Sequence, residues 1–561
     1  MPAPLLECVP NFSEGRDLGI IKQITDAIES VDGISLLDVD PGKATNRTVV
    51  TFVGAPEEVI EAAVRGGKKA AELIDMAKHT GEHPRFGAMD VCPLVPVSGI
   101  TMEETVEYAR ELGQRLGEEA GLTIYLYEHA ATSEERRNLS NVRSGEYEGL
   151  KEKLSKPNGQ PDFGPTEFNA RTGATAVSAR GFLIAYNVNL NTTSTRRANA
   201  IAFDVREKGR IKRDGDPLTG PIVKDENGQT VWTPGSLKSV KAIGWYIEEY
   251  GIAQISMNLT NLGVTPVHIA FDEVVAKAEA RGIRVTGSEL IGLIPLRAML
   301  DAGEYFLRKQ QRSTGISDRE IIKIAVKSLG LEDLAPFNPD ERIIEYAIAD
   351  RSRERLVDLS IEAFAEETAS ESPAPGGGSV SAAVGAFGVA LGSMVANLSA
   401  HKRGWDDRWE EFSDWAERGK SCQSELLRLV DDDTAAFNAV MAALRLPKGS
   451  DTEQTERTKA IQATTRVAIE IPLRVMEVAL ESMAVMKVMA EIGNPNSVSD
   501  AGVGALCARA AVRGAYLNVQ INVGDLEDKA FVEDVLSRGQ KLVEQAEELE
   551  REILAIVNEK L

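Results

Sequence analysis

Histidine is scarce in this chain, with five in 561 residues at positions 79, 83, 129, 268 and 401, so proton transfer near neutral pH has few candidates. Two of them fall in His79-Thr80-Gly81-Glu82-His83-Pro84-Arg85, which sets two imidazoles four residues apart with a carboxylate between them. That is the pitch of a zinc site on a helix. Gly81 and Pro84 break the helix such a site needs, so no metal is expected. His83, held between Glu82 and Pro84-Arg85 in a loop ahead of an apolar run, is instead a candidate general acid and base. Asp38 and Asp40 close one apolar run and Asn46-Arg47-Thr48 opens the next. Polar groups collected at strand ends are where open α/β units form sites, and also where solvated turns occur. Arg47 and Arg85 carry the planar fork that reads carboxylates.

The C-terminal part offers a second set. Pro373-Ala374-Pro375-Gly376-Gly377-Gly378-Ser379 precedes an Ala- and Gly-rich helix. Three glycines let backbone amides approach a ligand, and a helix N-terminus favours an anion. The Gly-Lys-Ser/Thr ending of a phosphate loop is missing, which leaves a ligand wall or a plain capping turn. Asp431-Asp432-Asp433 interrupts an otherwise apolar helix face. Asp433 shares a face with Phe437, four residues on, and burial there favours its neutral acid form; a solvated acidic turn is the alternative. Asn494-Pro495-Asn496-Ser497-Val498-Ser499-Asp500 is a turn ahead of another small-residue helix, where Asn494 and Asp500 either line a pocket or, for Asp500, cap the helix.

Alternating short β-branched runs and amphipathic segments position the first set. Leu5–Val9, Ser35–Val39, Thr48–Val53, Met89–Val97 and Thr123–Tyr127 predict strands, and Pro56–Met76 and Met102–Leu116 predict helices. The order implies an α/β sandwich. A second unit repeating that shape is expected to begin near Ala174, with extended Ala176–Ala179 and Phe182–Leu190 and helical Thr195–Lys208, joined to the first by the turn-rich run from Pro157 to Pro165. Asn227-Gly228, between Ile222–Lys224 and Gln229–Trp232, predicts a hairpin with two positive φ angles. Asp272–Arg281 and Leu296–Gln311 predict further helices. Beyond about residue 351 strand patterning gives way to long Ala, Glu, Leu and Met-rich helices. Leu542, Ala546, Leu549, Ile553 and Ile556 form a seam that packs helix on helix and is compatible with dimerisation, and Met476, Met483, Met486 and Met489 are expected to fill core gaps. The boundaries read 1–180 and 181–335 for two subdomains, 336–354 for a linker and 355–561 for the helical domain.

Composition bounds the possibilities. At roughly 150 residues per domain the chain should hold about three or four units. The formal net charge is −23 and no run of basic residues offers a phosphate-tracking stripe, so nucleic acid is not an expected partner. The N-terminus has no signal-like apolar run, and Val380–Leu398 is too rich in Ala, Gly and Ser for a bilayer, so no membrane is expected. Four dispersed cysteines, at 8, 92, 422 and 507, are read as buried thiols of a cytoplasmic protein.

Several motifs go further. Cys8-Val9-Pro10-Asn11-Phe12-Ser13-Glu14-Gly15, Leu37-Asp38-Val39-Asp40 with Thr45-Asn46-Arg47-Thr48-Val49, and Gly81-Glu82-His83-Pro84-Arg85 with Gly87-Ala88-Met89-Asp90-Val91-Cys92-Pro93 resemble the glutamate formimidoyltransferase family. The Pro-Gly-Gly-Gly-Ser run, Asp433 with Phe437, Leu446-Pro447-Lys448, and Gly514-Ala515-Tyr516-Leu517-Asn518-Val519 resemble formimidoyltetrahydrofolate cyclodeaminase. In order and extent the two together are similar to the bifunctional family that joins them. The resemblance implies an α/β (α+β sandwich) half of two similar ferredoxin-like subdomains followed by an all-α helical bundle. It implies transfer of a formimino group from N-formimidoyl-L-glutamate to N5 of tetrahydrofolate, probed as a polyglutamylated co-substrate, and ring closure to 5,10-methenyltetrahydrofolate with loss of ammonia. It implies a homo-oligomer built from dimers. The family's catalytic histidine corresponds to His83, its folate-binding stretch to Gly164-Pro165-Thr166-Glu167-Phe168-Asn169-Ala170-Arg171-Thr172-Gly173, and its cyclodeaminase aspartate to Asp433, with Asp431 and Asp432 adjacent. Asp40 is the expected orienting partner of His83, Arg47 or Arg85 the carboxylate readers, and Gly376–Ser379 with Asn494 and Asp500 the pterin walls. The residues alone leave the donor open between formimino and formyl, and the helical half open between catalyst and folate-binding, oligomerising scaffold.

Overall fold

The computed structural model describes residues 4–43, 45–81, 84–216, 219–348 and 355–561. The chain divides into two compact units, one of residues 1–302 with 326–349 and one of 303–325 with 350–561.

In the first unit, β1 (Leu5–Cys8), β2 (Asn11–Phe12), β3 (Ser35–Gly42), β4 (Arg47–Gly54), β5 (Met89–Ser98), β6 (Thr123–Glu128) and β7 (Ala174–Ala179) form one mixed sheet. β3 pairs antiparallel with β4, β4 with β1 and β2, and these with β5, whereas β7 lies parallel to both β5 and β6. Alternation explains the faces. Leu6, Cys8, Val50, Phe52, Ile124 and Leu126 join Val59, Ile60, Leu112 and Leu116 of the Pro56–Leu73 and Met102–Glu119 helices in one core, while Phe86, Tyr125 and Tyr127 join Leu150 and Leu154 in another. Cys8 and Cys92, far apart in sequence, come within 3.6 Å as free thiols; Cys422 is buried too, whereas Cys507 is only half-buried.

Strand β7 corrects the expectation that a second unit begins near Ala174, since it completes the first sheet. The Pro157–Pro165 run accordingly joins nothing new. It lies along β6, with Asp162 N donating to Ile124 O at 2.8 Å and Ile124 N to Phe163 O at 3.0 Å.

The second sheet follows from β8 (Ile184–Leu190), after which β9 (Arg210–Ile211) and β10 (Trp232–Thr233) make a small separate ladder. With β11 (Val240–Ile247), β12 (Ile252–Leu259) and β13 (Val285–Ile291) the order is β11-β12-β8-β13, wholly antiparallel. The Asn227-Gly228 turn exists but differs in kind. Gly228 alone has φ +75, and Asp225 Oδ1 accepts from the Asn227 and Gln229 amides at 2.9 and 2.8 Å, giving a three-residue loop with one left-handed glycine. Part of the expected linker is built into this unit. Pro339–Arg342 and Ile344–Ala347 are helical, Ile343 and Ile344 are buried, and Ile343 bridges to Ile294.

The second unit consists chiefly of five long helices, Gly377–Ala400, Trp409–Leu444, Asp451–Ile492, Val498–Asn522 and Lys529–Lys560. Residues 303–325 belong with them, Thr314 N donating to Ser413 Oγ at 3.0 Å and Asn397 Nδ2 to Gly315 O at 2.9 Å. The Gly377–Ala400 helix is long and apolar enough to cross a membrane by length and composition. Here its glycines let neighbours close in, a Cβ at Gly388 falling 2.8 Å from Gly504 O. The C-terminal seam is used inside the unit: Ala546 and Ile553 are fully buried, with Leu542, Leu549 and Ile556 packed beside them. Met476, Met483, Met486 and Met489 fill the core as expected.

Candidate functional site

His83 and Glu82 lie outside the described residues, so the first site is defined by what surrounds them. Asn46 takes a left-handed conformation, φ 50, in the turn between β3 and β4. Its Oδ1 accepts from Gly15 N at 3.0 Å and its Nδ2 donates to Thr80 O at 2.9 Å. His79 Nε2 lies 2.8 Å from Asn46 O, so it carries the proton and donates, while burial pushes the imidazole's pKa down. A Cβ at Gly81 would fall 2.2 Å from Thr45 O. His79 to Gly81 is thus docked on the β3–β4 turn, and the chain returns through Arg85 to β5.

Both arginines expected to read substrate carboxylates are engaged by the protein. Arg47 is turned inward, pairing with Asp90 and donating to Asn11 Oδ1 at 3.0 Å. Arg143 reaches the same Asp90 carboxylate. Burial pulls both guanidinia down to about 9, still protonated at neutral pH. Arg85 donates to His79 O, pairs with Glu148 and lies 5.4 Å from the Tyr147 ring centre.

The 164–173 stretch crosses the same end of the sheet, running from the start of β6 to the start of β7. Thr123 Oγ1 donates to Pro165 O at 2.9 Å and Ala88 N to Thr172 O at 2.8 Å, and Gly173 bridges Gly87. Gly164 and Gly173 have φ of +78 and +64. Phe168 packs at 5.7 Å on Tyr147, and Arg171 ties to Ala71 O and Glu72 O at a helix end. Thr166, Glu167 and Asn169 remain exposed. The expected residues therefore gather at the amino ends of β5 and β7 rather than at carboxyl ends, the rule for purely parallel sheets.

Asp40 stays exposed and Asp38 half-buried on β3; desolvation pushes both carboxyls up, with Arg342 opposing. Sequence reasoning missed the residues around them. Arg342 lies 4.0 Å from Asp38, and Glu289 of β13, whose charge raises Asp40 further, accepts from Asn187 and Gln254 at 3.0 and 3.2 Å and from the Tyr250 hydroxyl at 3.3 Å. Glu7 on β1 is 4% exposed with no hydrogen-bond partner among the described residues, and burial pushes it up to about 7 against Arg180, with Glu345 adding. The available signal was alternation: Asn187, Asn189 and Gln254 alternate with Tyr186, Val188 and Ile255, giving the second sheet a polar face. A cavity of about 790 Å³ beside β6, lined by Tyr125, Arg136, Lys153 and Asp162 among others, holds none of the expected residues.

In the second unit the three aspartates separate. Asp431 Oδ1 accepts from Leu356 N at 2.7 Å, Asp432 pairs with Arg428 at 3.0 Å, and Asp433 faces the glycine run. A Cβ at Gly378 would fall 2.1 Å from Asp433 Oδ1, so only glycine fits. Burial pushes the Asp433 pKa up, and the Ser379 hydroxyl and amide hold it down. Phe437 is half-buried on the same helix.

Two expectations are corrected here. Ser379 is fully buried against Val430 O and Asp433 and forms no wall. Asn494 and Asp500 are at the opposite end of the Gly377–Ala400 helix: Asn494 N donates to Ser399 Oγ at 2.8 Å, and 20 residues of helix at about 1.5 Å each separate Ser399 from Ser379 by roughly 30 Å. Asp500 sits in the first helical turn, with Ser497 in the cap position. The antiparallel Val498–Asn522 helix instead brings Asn518 and Gly514 to the Asp433 end, a Cβ at Gly377 falling 3.0 Å from Asn518 Nδ2.

The arrangement has close relatives along its whole length. A formimidoyltransferase-cyclodeaminase of Gallus gallus is 43% identical over 559 residues, covering 100% of this chain and 99% of that one. The chain belongs to the formimidoyltransferase-cyclodeaminase family. Residues 5–180 match the model of the formiminotransferase domain's N-terminal subdomain, 185–349 that of the formiminotransferase domain and 360–558 that of formiminotransferase-cyclodeaminase. Each half also has a free-standing relative. A glutamate formimidoyltransferase of Thermoplasma acidophilum is 41% identical over 57% of this chain and 98% of its own length. A methenyltetrahydrofolate cyclohydrolase of Methylorubrum extorquens is 38% identical over 36% of this chain and 97% of its own.

Proposed function

We propose that this chain transfers the formimino group of N-formimidoyl-L-glutamate to N5 of tetrahydrofolate in its first unit, then closes the ring to 5,10-methenyltetrahydrofolate in its helical unit with release of ammonia. The observation that carries this is likeness at 43% identity to a formimidoyltransferase-cyclodeaminase across the full chain, both halves in order.

In the first step N5 attacks the amidinium carbon, and the tetrahedral intermediate must lose the N5 proton while the glutamate nitrogen gains one. One imidazole near pKa 6.5 can do both, an effect typically worth about 10²–10⁴-fold. His83 has that role in this reading, with Asp40 orienting it. The acidic face made by Asp38, Asp40 and Glu289 suits a cationic amidinium, which favours formimino over formyl donors. The 164–173 stretch would hold the folate. In the second step N10 attacks the same carbon, and Asp433 takes the N10 proton and returns it to the departing amine; a buried carboxyl with a raised pKa is suited to that exchange. A polyglutamylated folate, two ferredoxin-like subdomains, a cytoplasmic homo-oligomer of dimers and the absence of a metal complete the proposal.

The test incubates purified protein with tetrahydrofolate and either formimidoylglutamate or formylglutamate while following methenyl-folate absorbance and ammonia. Product with ammonia from the formimino donor alone is expected. Product from neither donor overturns the proposal, and product only from formylglutamate replaces the donor.

A further inference from the structure

Ser379 stands in the first turn of the Gly377–Ala400 helix and is fully buried, so it touches no substrate. Its Oγ lies near three oxygens at once: Val430 O at 2.9 Å, Asp433 Oδ2 at 3.0 Å and Thr434 Oγ1 at 3.1 Å. A hydroxyl has one proton and cannot donate to the Val430 carbonyl and the Asp433 carboxylate together. Which one it serves follows from Asp433. With Asp433 ionised, Ser379 O–H donates to Oδ2 and Thr434 O–H donates to Ser379 Oγ. With Asp433 protonated, the carboxyl O–H donates to Ser379 Oγ and Ser379 turns its own proton to Val430 O. Ser379 and Asp433 remain partnered in both states, and no heavy atom needs to move.

We propose that Ser379 is a positioning residue for Asp433, exchanging donor and acceptor roles as the carboxyl gains and loses its proton and so holding it in one orientation throughout the cycle. This rests on the reading of Asp433 as the proton shuttle. The proton leaves N10 as the N10–carbon bond forms, resides on Asp433, and passes to the departing amine as the carbon–nitrogen bond breaks and ammonia leaves; Ser379 only reorients. Charge from elsewhere contributes little. The Gly377–Ala400 helix has no charged residue, Asp431 and Asp432 are held by Leu356 N and Arg428, Arg355 and Asp358 pair with each other, and Arg513 on the Val498–Asn522 helix is exposed.

The test is the pH–rate profile of the full chain on supplied 5-formimidoyltetrahydrofolate. Ser379→Ala removes a hydrogen bond that favours the ionised carboxylate, so the acid limb is expected to move up by about one pH unit with formimino transfer unchanged. Ser379→Cys, with a weaker donor, should fall between the two; if the alanine variant does not fold, the cysteine variant decides alone. An acid limb at the wild-type pH in the folded variants overturns the positioning role and leaves the shuttle standing. Ammonia release that survives Asp433→Asn overturns the shuttle, and with it this inference.

Discussion

Asp90 is fully buried on β5, meeting Arg47 and Arg143 and accepting the Phe86 amide at 2.7 Å. Removing its charge strands two guanidinia in the interior, so Asp90→Asn is expected to destabilise the first unit by about 3–5 kcal/mol, read from chemical unfolding. An unchanged midpoint would mean water already compensates both arginines. Glu7 works in the opposite sense. Its carboxyl is raised from 4.5 to about 7, so the folded chain binds more protons than the unfolded chain in that window. The stability from that bound proton is complete below about pH 4.5 and is lost as pH rises through about 7, a swing of about 3 kcal/mol. Glu7→Gln should therefore gain stability relative to wild type between pH 4.5 and 7.5, and parallel curves for the two would refute the assignment. Neither partnership was legible in the sequence. Arg47 announces a guanidinium but not that Asp90, 43 residues away, will consume it.

At the scale of elements, most strands and helices follow from periodicity, because one buried face enforces it. What periodicity does not give is which end of a helix meets which neighbour. Gly376–Ser379 and Asn494–Asp500 both look like site walls in sequence, yet they cap opposite ends of one helix pair, and the antiparallel partner presents Asn518 instead. Strand β7 was visible as a strand but not as a member of the first sheet, since a parallel partner leaves no turn signal. The glycine run can be tested as an element. Gly378→Ala places a methyl against Asp433 Oδ1, and accommodating it costs about 1–3 kcal/mol and shifts the carboxyl. Cyclisation should fall at least tenfold while transfer in the other unit is kept; Gly376→Ala, whose Cβ meets nothing within 4 Å, should leave both rates near wild type. Equal loss in both variants would mean that backbone freedom, not the Asp433 contact, selects glycine here.

Across the whole molecule, the two proposed proton carriers belong to separate compact units with separate cores. The change of texture near residue 351 foretold that division; it did not foretell that residues 303–325 would be recruited by the helical unit, because their amphipathic pattern fits either neighbour. Separate cores make the two activities separable by single substitutions. His83→Ala should abolish transfer but still cyclise supplied 5-formimidoyltetrahydrofolate, and Asp433→Asn should do the reverse and accumulate that intermediate. Neither variant alone should then turn formimidoylglutamate and tetrahydrofolate into methenyl-folate with ammonia. Mixed in equal amounts they should do so, after a lag in which the free intermediate builds up, and added unlabelled intermediate should dilute a labelled formimino group on its way to product. A mixture that stays inactive while each variant keeps its one activity would show that the second unit accepts the intermediate only from its own chain's first unit.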